Sequence, residues 1–264
     1  MTDTPPTDPR AAGGGDIEGL DEARMSIMEH LVELRMRLLY SLIWLVTGAL
    51  VCWFWVEPLF DFLLVPLREG VGQAEGIDSA KMHHKDLAEP IFVFLKTSLL
   101  GGVFLASPGI LYNVWKFIAP GLYDSERRLA GPFVIAATAF FVLGGAFAYY
   151  LALPYAYAVL LDFSRGVSDP TLMMREYFAL TTKLLFGFGV VFEMPVISMF
   201  LAMLGVITHR TLIRYWRIAM VVSVGLAALF TPPDVITQMM MAGPLLVLYG
   251  LSIGVAWIFS STDE

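Results

Sequence analysis

The chain has 264 residues, of which 57% are hydrophobic and 16% charged, and its net charge is −7. That charged fraction is well below the soluble average of about 25%; with a mean hydropathy of +0.69 it excludes an ordinary soluble domain and indicates a polytopic membrane protein. The acidic balance argues against a general nucleic-acid partner, and one cysteine, Cys52, rules out a disulfide within the chain.

The chain opens on MTDTPPTDPRAAGGGDIEG, too rich in proline, glycine and acid to bury a core, so residues 1–22 read as a disordered tail. It is not a secretory signal, because the apolar stretch comes late and is too long. From Asp21 to Leu38, Met25, Met28, Leu31, Leu34 and Leu38 recur at helical spacing opposite charged residues. This segment is expected to lie along the membrane surface ahead of a first span over 38–57, whose far end is rich in Trp and Phe. EPLFDFLLVPL, bracketed by Pro58 and Pro66, is too short to span and predicts an interfacial helix on the far side. The polar loop beyond it contains His83 and His84, which would diverge on a helix and lack nearby cysteines; a solvated loop, not a metal site, is expected.

A second span fits 91–118, followed by the connection GLYDSERR, which suits the cytoplasmic side because Arg127 and Arg128 abut the next span. A third span over 129–150 contains Gly144, Gly145 and Ala148, small residues that permit close helix packing. Pro154 either ends it or turns it into a second outer helix, YAYAVLLDF. A fourth span covers 176–204, the basic stretch THRTLIRYWR forms a second inner loop, and spans over 212–230 and 236–259 flank the tight turn TPPD. The fifth is short, which predicts a locally thin membrane or a helix at the bundle edge. Both termini then lie in the cytoplasm, and the inner side holds ten of the 17 lysines and arginines.

Glu193 is the only ionisable side chain between Lys183 and His209. A charged carboxylate at that depth costs about 2.5 kcal/mol or more, so it faces protein or water, or is protonated. A neutral acid bonded to a neighbouring helix, with Pro195 adding a kink, remains the plainer alternative. The chain has no zinc-protease motif, no phosphate-cradling loop and no convincing nucleophile elbow, so catalysis, intramembrane hydrolysis included, is disfavoured and no cofactor is expected. Two halves with broken helices at matching positions are also missing, which weakens a small-solute carrier reading. The alternative function is a proton-coupled secondary transporter using Glu193.

Glu33 and Glu126 are carboxylates at the expected cytoplasmic entrance. They could receive guanidinium groups as bidentate pairs that lysine cannot reproduce. Equally, Glu33 can pair with Arg37 at i,i+4, and Glu126 with its neighbouring arginines or solvent. Asp234 can cap the last helix, and Gln238, a turn later, can hydrogen-bond another helix, including a partner's.

The stretches HLVELRMRL, SPGILYNVWKFIAPGLYDSERR, FGFGVVFEMPV and TPPDVITQ fall in an order and helix context that resembles the TatC family, the multispanning component of the twin-arginine protein translocase. The resemblance covers nearly everything from about Met25 to Phe259. It implies an all-α, six-span concave bundle in the bacterial inner membrane that binds twin-arginine signal peptides of folded precursors at the cytoplasmic face. It also implies TatB-type and TatA-type single-span partners, self-association, and transport driven by the protonmotive force. By position, Glu33 and Arg35 match the family's N-terminal recognition motif, and Phe117 and Glu126 the first cytoplasmic loop's part of the signal-peptide site. Pro66 matches an outer-loop proline and Glu193 the intramembrane glutamate. Asp234 matches the last outer turn, and Gln238 with Thr231 the partner-helix site. Under this resemblance Glu193 is expected to draw in water and weaken the bilayer locally.

Overall fold

The computed structural model describes residues 14–72, 86–118, 130–165, 173–230 and 235–259. Regular structure among them is helical. α1 runs unbroken over Gly14–Phe54, 41 residues. This corrects two expectations: helix begins at Gly14, inside the stretch read as a tail, and the amphipathic segment does not turn along the surface but continues directly into the first span. The physical reason is local, since Leu20 to Thr47 contains neither glycine nor proline and nothing interrupts the ladder. At 1.5 Å per residue α1 is about 60 Å long, roughly twice the hydrocarbon thickness, so the part ahead of its apolar stretch stands clear of the bilayer core.

α2 covers Val56–Gly72 and passes through Pro66 instead of stopping there. α3 is Glu89–Ile118. α4, Ala130–Phe147, runs through a π-helical turn over Ala148–Ala152 into α5, Leu153–Arg165. Pro154 therefore neither ends the helix nor detaches an outer one: it occupies the first turn of α5, where a missing N–H is tolerated, and the wider π turn absorbs the mismatch. α6 (Met174–Phe192) and α7 (Met194–Met203) are halves of one span, interrupted at Glu193. α7 stops where Gly205 adopts φ +69°, the left-handed conformation that glycine takes without strain.

Then follow a single turn, α8 (His209–Arg214), α9 (Trp216–Phe230) and α10 (Val235–Phe259). Among the described residues, five apolar stretches are long enough to cross a bilayer: Met28–Phe54, Glu89–Ile118, Gly131–Leu161, Met174–Met203 and Met241–Phe259. Over the stretch read as the fifth span, 212–230, the helix breaks at Tyr215 and the apolar helix is Trp216–Phe230. At about 20 Å it falls short of the hydrocarbon core, and with Val221 72% exposed it lies at the edge of the bundle.

Helix contacts are made by small residues. A Cβ on Gly48 would stand 2.7 Å from the Gly102 carbonyl oxygen, and one on Gly102 would stand 2.5 Å from the Ala49 backbone nitrogen, so α1 and α3 touch backbone to backbone. Gly144 brings α4 equally close to Phe188 of α6, and Gly145 leaves room for the Phe104 ring of α3. A large core holds Phe178, Leu184, Phe188, Leu153 and Leu245, and a smaller one packs Trp115, Phe133 and Phe200, with Phe200 edge-on to the other two rings.

Because the atoms facing Gly102 are backbone and cannot move aside, Gly102→Leu is expected to cost about 1–3 kcal/mol in detergent unfolding measurements. Gly225→Ala, with nothing within 4 Å of the new Cβ, is expected to cost nothing; equal stability of the two variants would contradict the contact.

Candidate functional site

In the N-terminal half of α1, His30, Glu33 and Arg37 recur at i, i+3 and i+7 and share one face. The imidazole of His30 stacks on the Phe117 ring at the end of α3, with centroids 4.5 Å apart and planes 20° from parallel. One turn on, Glu33 Oε1 accepts from Arg37 Nη2 at 3.0 Å, both side chains being half-buried. An i,i+4 pair on a helix surface is worth about 0.3–0.5 kcal/mol, little enough for an incoming guanidinium to displace. The Arg37 Nε is buried without a hydrogen-bond partner among the described residues. Arg35 is exposed on a different face of α1 and does not join this group. Beside Phe117, Lys116 Nζ lies 4.8 Å from the centroid of the Tyr112 ring. Glu126 lies outside the described residues, as do His83, His84, Thr231 and Asp234.

Pro66 is almost fully buried inside α2. Lacking an N–H, it cannot bond the carbonyl of Phe62 one turn back. The Tyr149 hydroxyl, from the π turn, donates to that carbonyl at 2.7 Å, its ring stacking on Phe62. The next carbonyl, Leu63, accepts from the Tyr177 hydroxyl, and Tyr157 in turn donates to the Tyr177 carbonyl at 3.1 Å. The proline thus exposes a backbone acceptor, and α2 is fastened by tyrosine hydroxyls to the π turn after α4 and to α6.

Glu193 is 8% exposed and keeps a right-handed helical conformation (φ −72°, ψ −11°), but its N–H turns to the Val190 carbonyl three residues back, at 3.1 Å, while its own carbonyl accepts from Ile197 at 2.9 Å. Pro195 sits in the first turn of α7, so residue and proline together make the break. Glu193 Oε1 is buried and has no hydrogen-bond partner among the described residues, so the neighbouring-helix bond of the plainer alternative is not made at that oxygen. At the other edge, Gln238 Nε2 donates to the Val224 carbonyl at 3.0 Å, tying α10 to α9 within the chain. No group of three or more His, Cys, Asp or Glu that could hold a metal occurs among the described residues.

Residues 29–244 match the family described as Sec-independent protein translocase protein (TatC). The chain belongs to the TatC family. Among curated relatives, the Sec-independent protein translocase protein TatC of Koribacter versatilis is 38% identical over 235 residues, covering 89% of this chain and 86% of that protein. The TatC protein of Desulforapulum autotrophicum is 39% identical over 244 residues, covering 92% and 88%. A crystal structure of a twin-arginine translocase receptor, TatC, in the detergent DDM superposes with a TM-score of 0.75 at 35% identity, covering 86% of this chain and 99% of that one.

The TatC match spans the inner α1 face, Phe117, Pro66, Glu193 and Gln238 alike. Two further residues of this TatC chain escaped the sequence reading. Glu89 is buried, and its Oε1 accepts the Arg175 backbone N–H at 2.8 Å. It caps α6 from another helix because Met173, at the N-cap position, carries no acceptor. Tyr149 is the other; its only sequence signal is a hydroxyl in an apolar run preceding Pro154.

Tyr149→Phe, by orphaning the Phe62 carbonyl, is expected to cost about 1–3 kcal/mol. In a Pro66→Ala background the restored N–H recovers that carbonyl and the cost falls toward zero; unfolding of the four proteins in one detergent reads the cycle, and equal costs in both backgrounds would contradict it.

Proposed function

We propose that this chain is the receptor subunit of a twin-arginine translocase, taking the signal peptides of folded precursors at the inner membrane face. Family membership makes it a translocase component, not an enzyme. The observation that carries the binding reading is the inner face of α1, where Glu33 stands one turn from the His30 and Phe117 stack while holding a guanidinium, that of Arg37. A peptide arginine takes the same carboxylate as a charge-assisted, bidentate pair, and Glu126 serves the second arginine. Lysine, a point charge, satisfies neither geometry.

The apolar part of the peptide then follows α1 outward. From Glu33 to Val51 the helix rises about 27 Å, the length of about 18 helical residues. There a groove of about 670 Å³ opens between α1, α2, α3 and α4, walled by Val51, Cys52, Trp55, Phe104 and Tyr149. In this reading the chain spans the bacterial inner membrane six times with both termini cytoplasmic, α9 supplying the thin span. TatB-type and TatA-type helices pack near Gln238 and Thr231, with Asp234 at the outer turn, and cargo moves at the expense of the protonmotive force. Glu193, its Oε1 without a protein partner among the described residues, recruits water and weakens the bilayer where those helices gather. The carrier reading of Glu193 loses its basis with the family assignment.

Purified protein in nanodiscs is expected to bind a twin-arginine signal peptide at least tenfold more tightly than its twin-lysine counterpart, a difference of about 1.4 kcal/mol. Glu33→Ala or Glu126→Ala should remove most of that preference, and equal binding of both peptides would overturn the proposal. Alkylation of Cys52, the chain's only cysteine, should slow when the peptide is bound; an unchanged rate would place the apolar segment elsewhere.

A further inference from the structure

The stack between His30 and Phe117 holds the imidazole by one face, at 4.5 Å and 20°. His30 is nevertheless exposed, while Phe117 is half-buried, so the imidazole is the outer layer of the pair. Its position three residues before Glu33 puts the two side chains on adjacent turns of one helix face, about 5–6 Å apart at Cβ. A flat aromatic surface with a carboxylate at its edge is complementary to a guanidinium, which is planar, weakly hydrated over its faces, and carries its N–H donors in the plane of the group. An ammonium carries its charge as a hydrated sphere and gains little from the flat surface.

We propose that His30 is a specificity-determining residue of the signal-peptide site, on whose exposed face one guanidinium of the arginine pair lies flat while its edge bonds Glu33. The inference rests on the receptor reading above. Arginine is then distinguished from lysine twice, by the edge at Glu33 and by the face at His30. Phe117 acts through His30 as the backing that holds the imidazole in place, which is why a residue at the end of α3 matters to a ligand seated on α1. The charged groups around this platform are Glu29, Glu33 and Arg37 on α1 and Lys116 on α3. Lys116 is directed over Tyr112.

The test measures binding of twin-arginine and twin-lysine signal peptides to the full chain in nanodiscs for wild type, His30→Leu, His30→Phe and Glu33→Ala. His30→Leu keeps apolar bulk against Phe117 but removes the π face; twin-arginine affinity is expected to fall about three- to tenfold with twin-lysine affinity unchanged. His30→Phe, which restores a flat ring, should recover most of the loss. An equal fall for both peptides would show that His30 only props up Phe117 and would overturn the inference, as would undiminished twin-arginine binding by His30→Leu or failure of His30→Phe to rescue. The underlying receptor reading fails differently: wild type would show no preference for arginine, whereas an arginine preference that Glu33→Ala removes and His30→Leu leaves intact overturns this inference alone.

Discussion

Backbone groups inside a bilayer have no water to bond, so every interruption of a helix must be repaired by the protein itself. That constraint organises this structure. The carbonyl released by Pro66 in α2 is taken by Tyr149, the neighbouring Leu63 carbonyl by Tyr177, and the Leu212 carbonyl beside the break at Tyr215 by Tyr249 at 2.7 Å. The uncapped start of α6 is closed by Glu89, and Gln238 reaches the Val224 carbonyl of the short α9. These long-range bonds carry the tertiary specificity that apolar contact alone cannot supply among helices already dissolved in lipid. Glu193 departs from the pattern: it sits at a helix break, and its Oε1 is buried without a protein partner among the described residues.

The inner site depends on a contact far from it. α1 and α3 run antiparallel in register, with Cys52 against Gly101, Ala49 against Gly102, Trp44 against Gly109 and finally His30 against Phe117. The glycines bring the two backbones together within the membrane, and the uninterrupted helix carries that alignment outward to Glu33. A rigid α1 therefore joins the carboxylate at one end to the apolar groove at the other. Binding groups held on long helices are placed more reproducibly than groups on loops.

Much of this was legible in the residues. Long apolar runs and basic inner loops gave the helices their approximate positions, and Gly144 and Gly145 were readable as packing residues. The pairing of Glu33 with Arg37 follows from i,i+4 spacing alone. What periodicity could not supply were features set by distant partners. The passage of α2 through Pro66 requires Tyr149, 87 positions from Phe62, and the cap on α6 requires Glu89, 86 positions from Arg175. The continuity of α1 was misjudged for another reason: amphipathic spacing describes a face, not a direction, and only the lack of a breaker between Leu20 and Thr47 shows that the helix does not turn. His30 was overlooked because a histidine in a charged helix looks solvated until the ring beneath it is seen.

The account's central claim is that the inner faces of α1 and α3 together read the arginine pair, and photo-crosslinking tests it most directly. A signal peptide carrying benzoylphenylalanine beside the two arginines would be irradiated on the intact chain in nanodiscs and the adducts mapped by mass spectrometry. Adducts concentrated in Met28 to Arg37 and Tyr112 to Ile118, and lost with a twin-lysine peptide, are the predicted result. Adducts confined to α9 and α10 would contradict the account and move recognition to the opposite edge of the bundle.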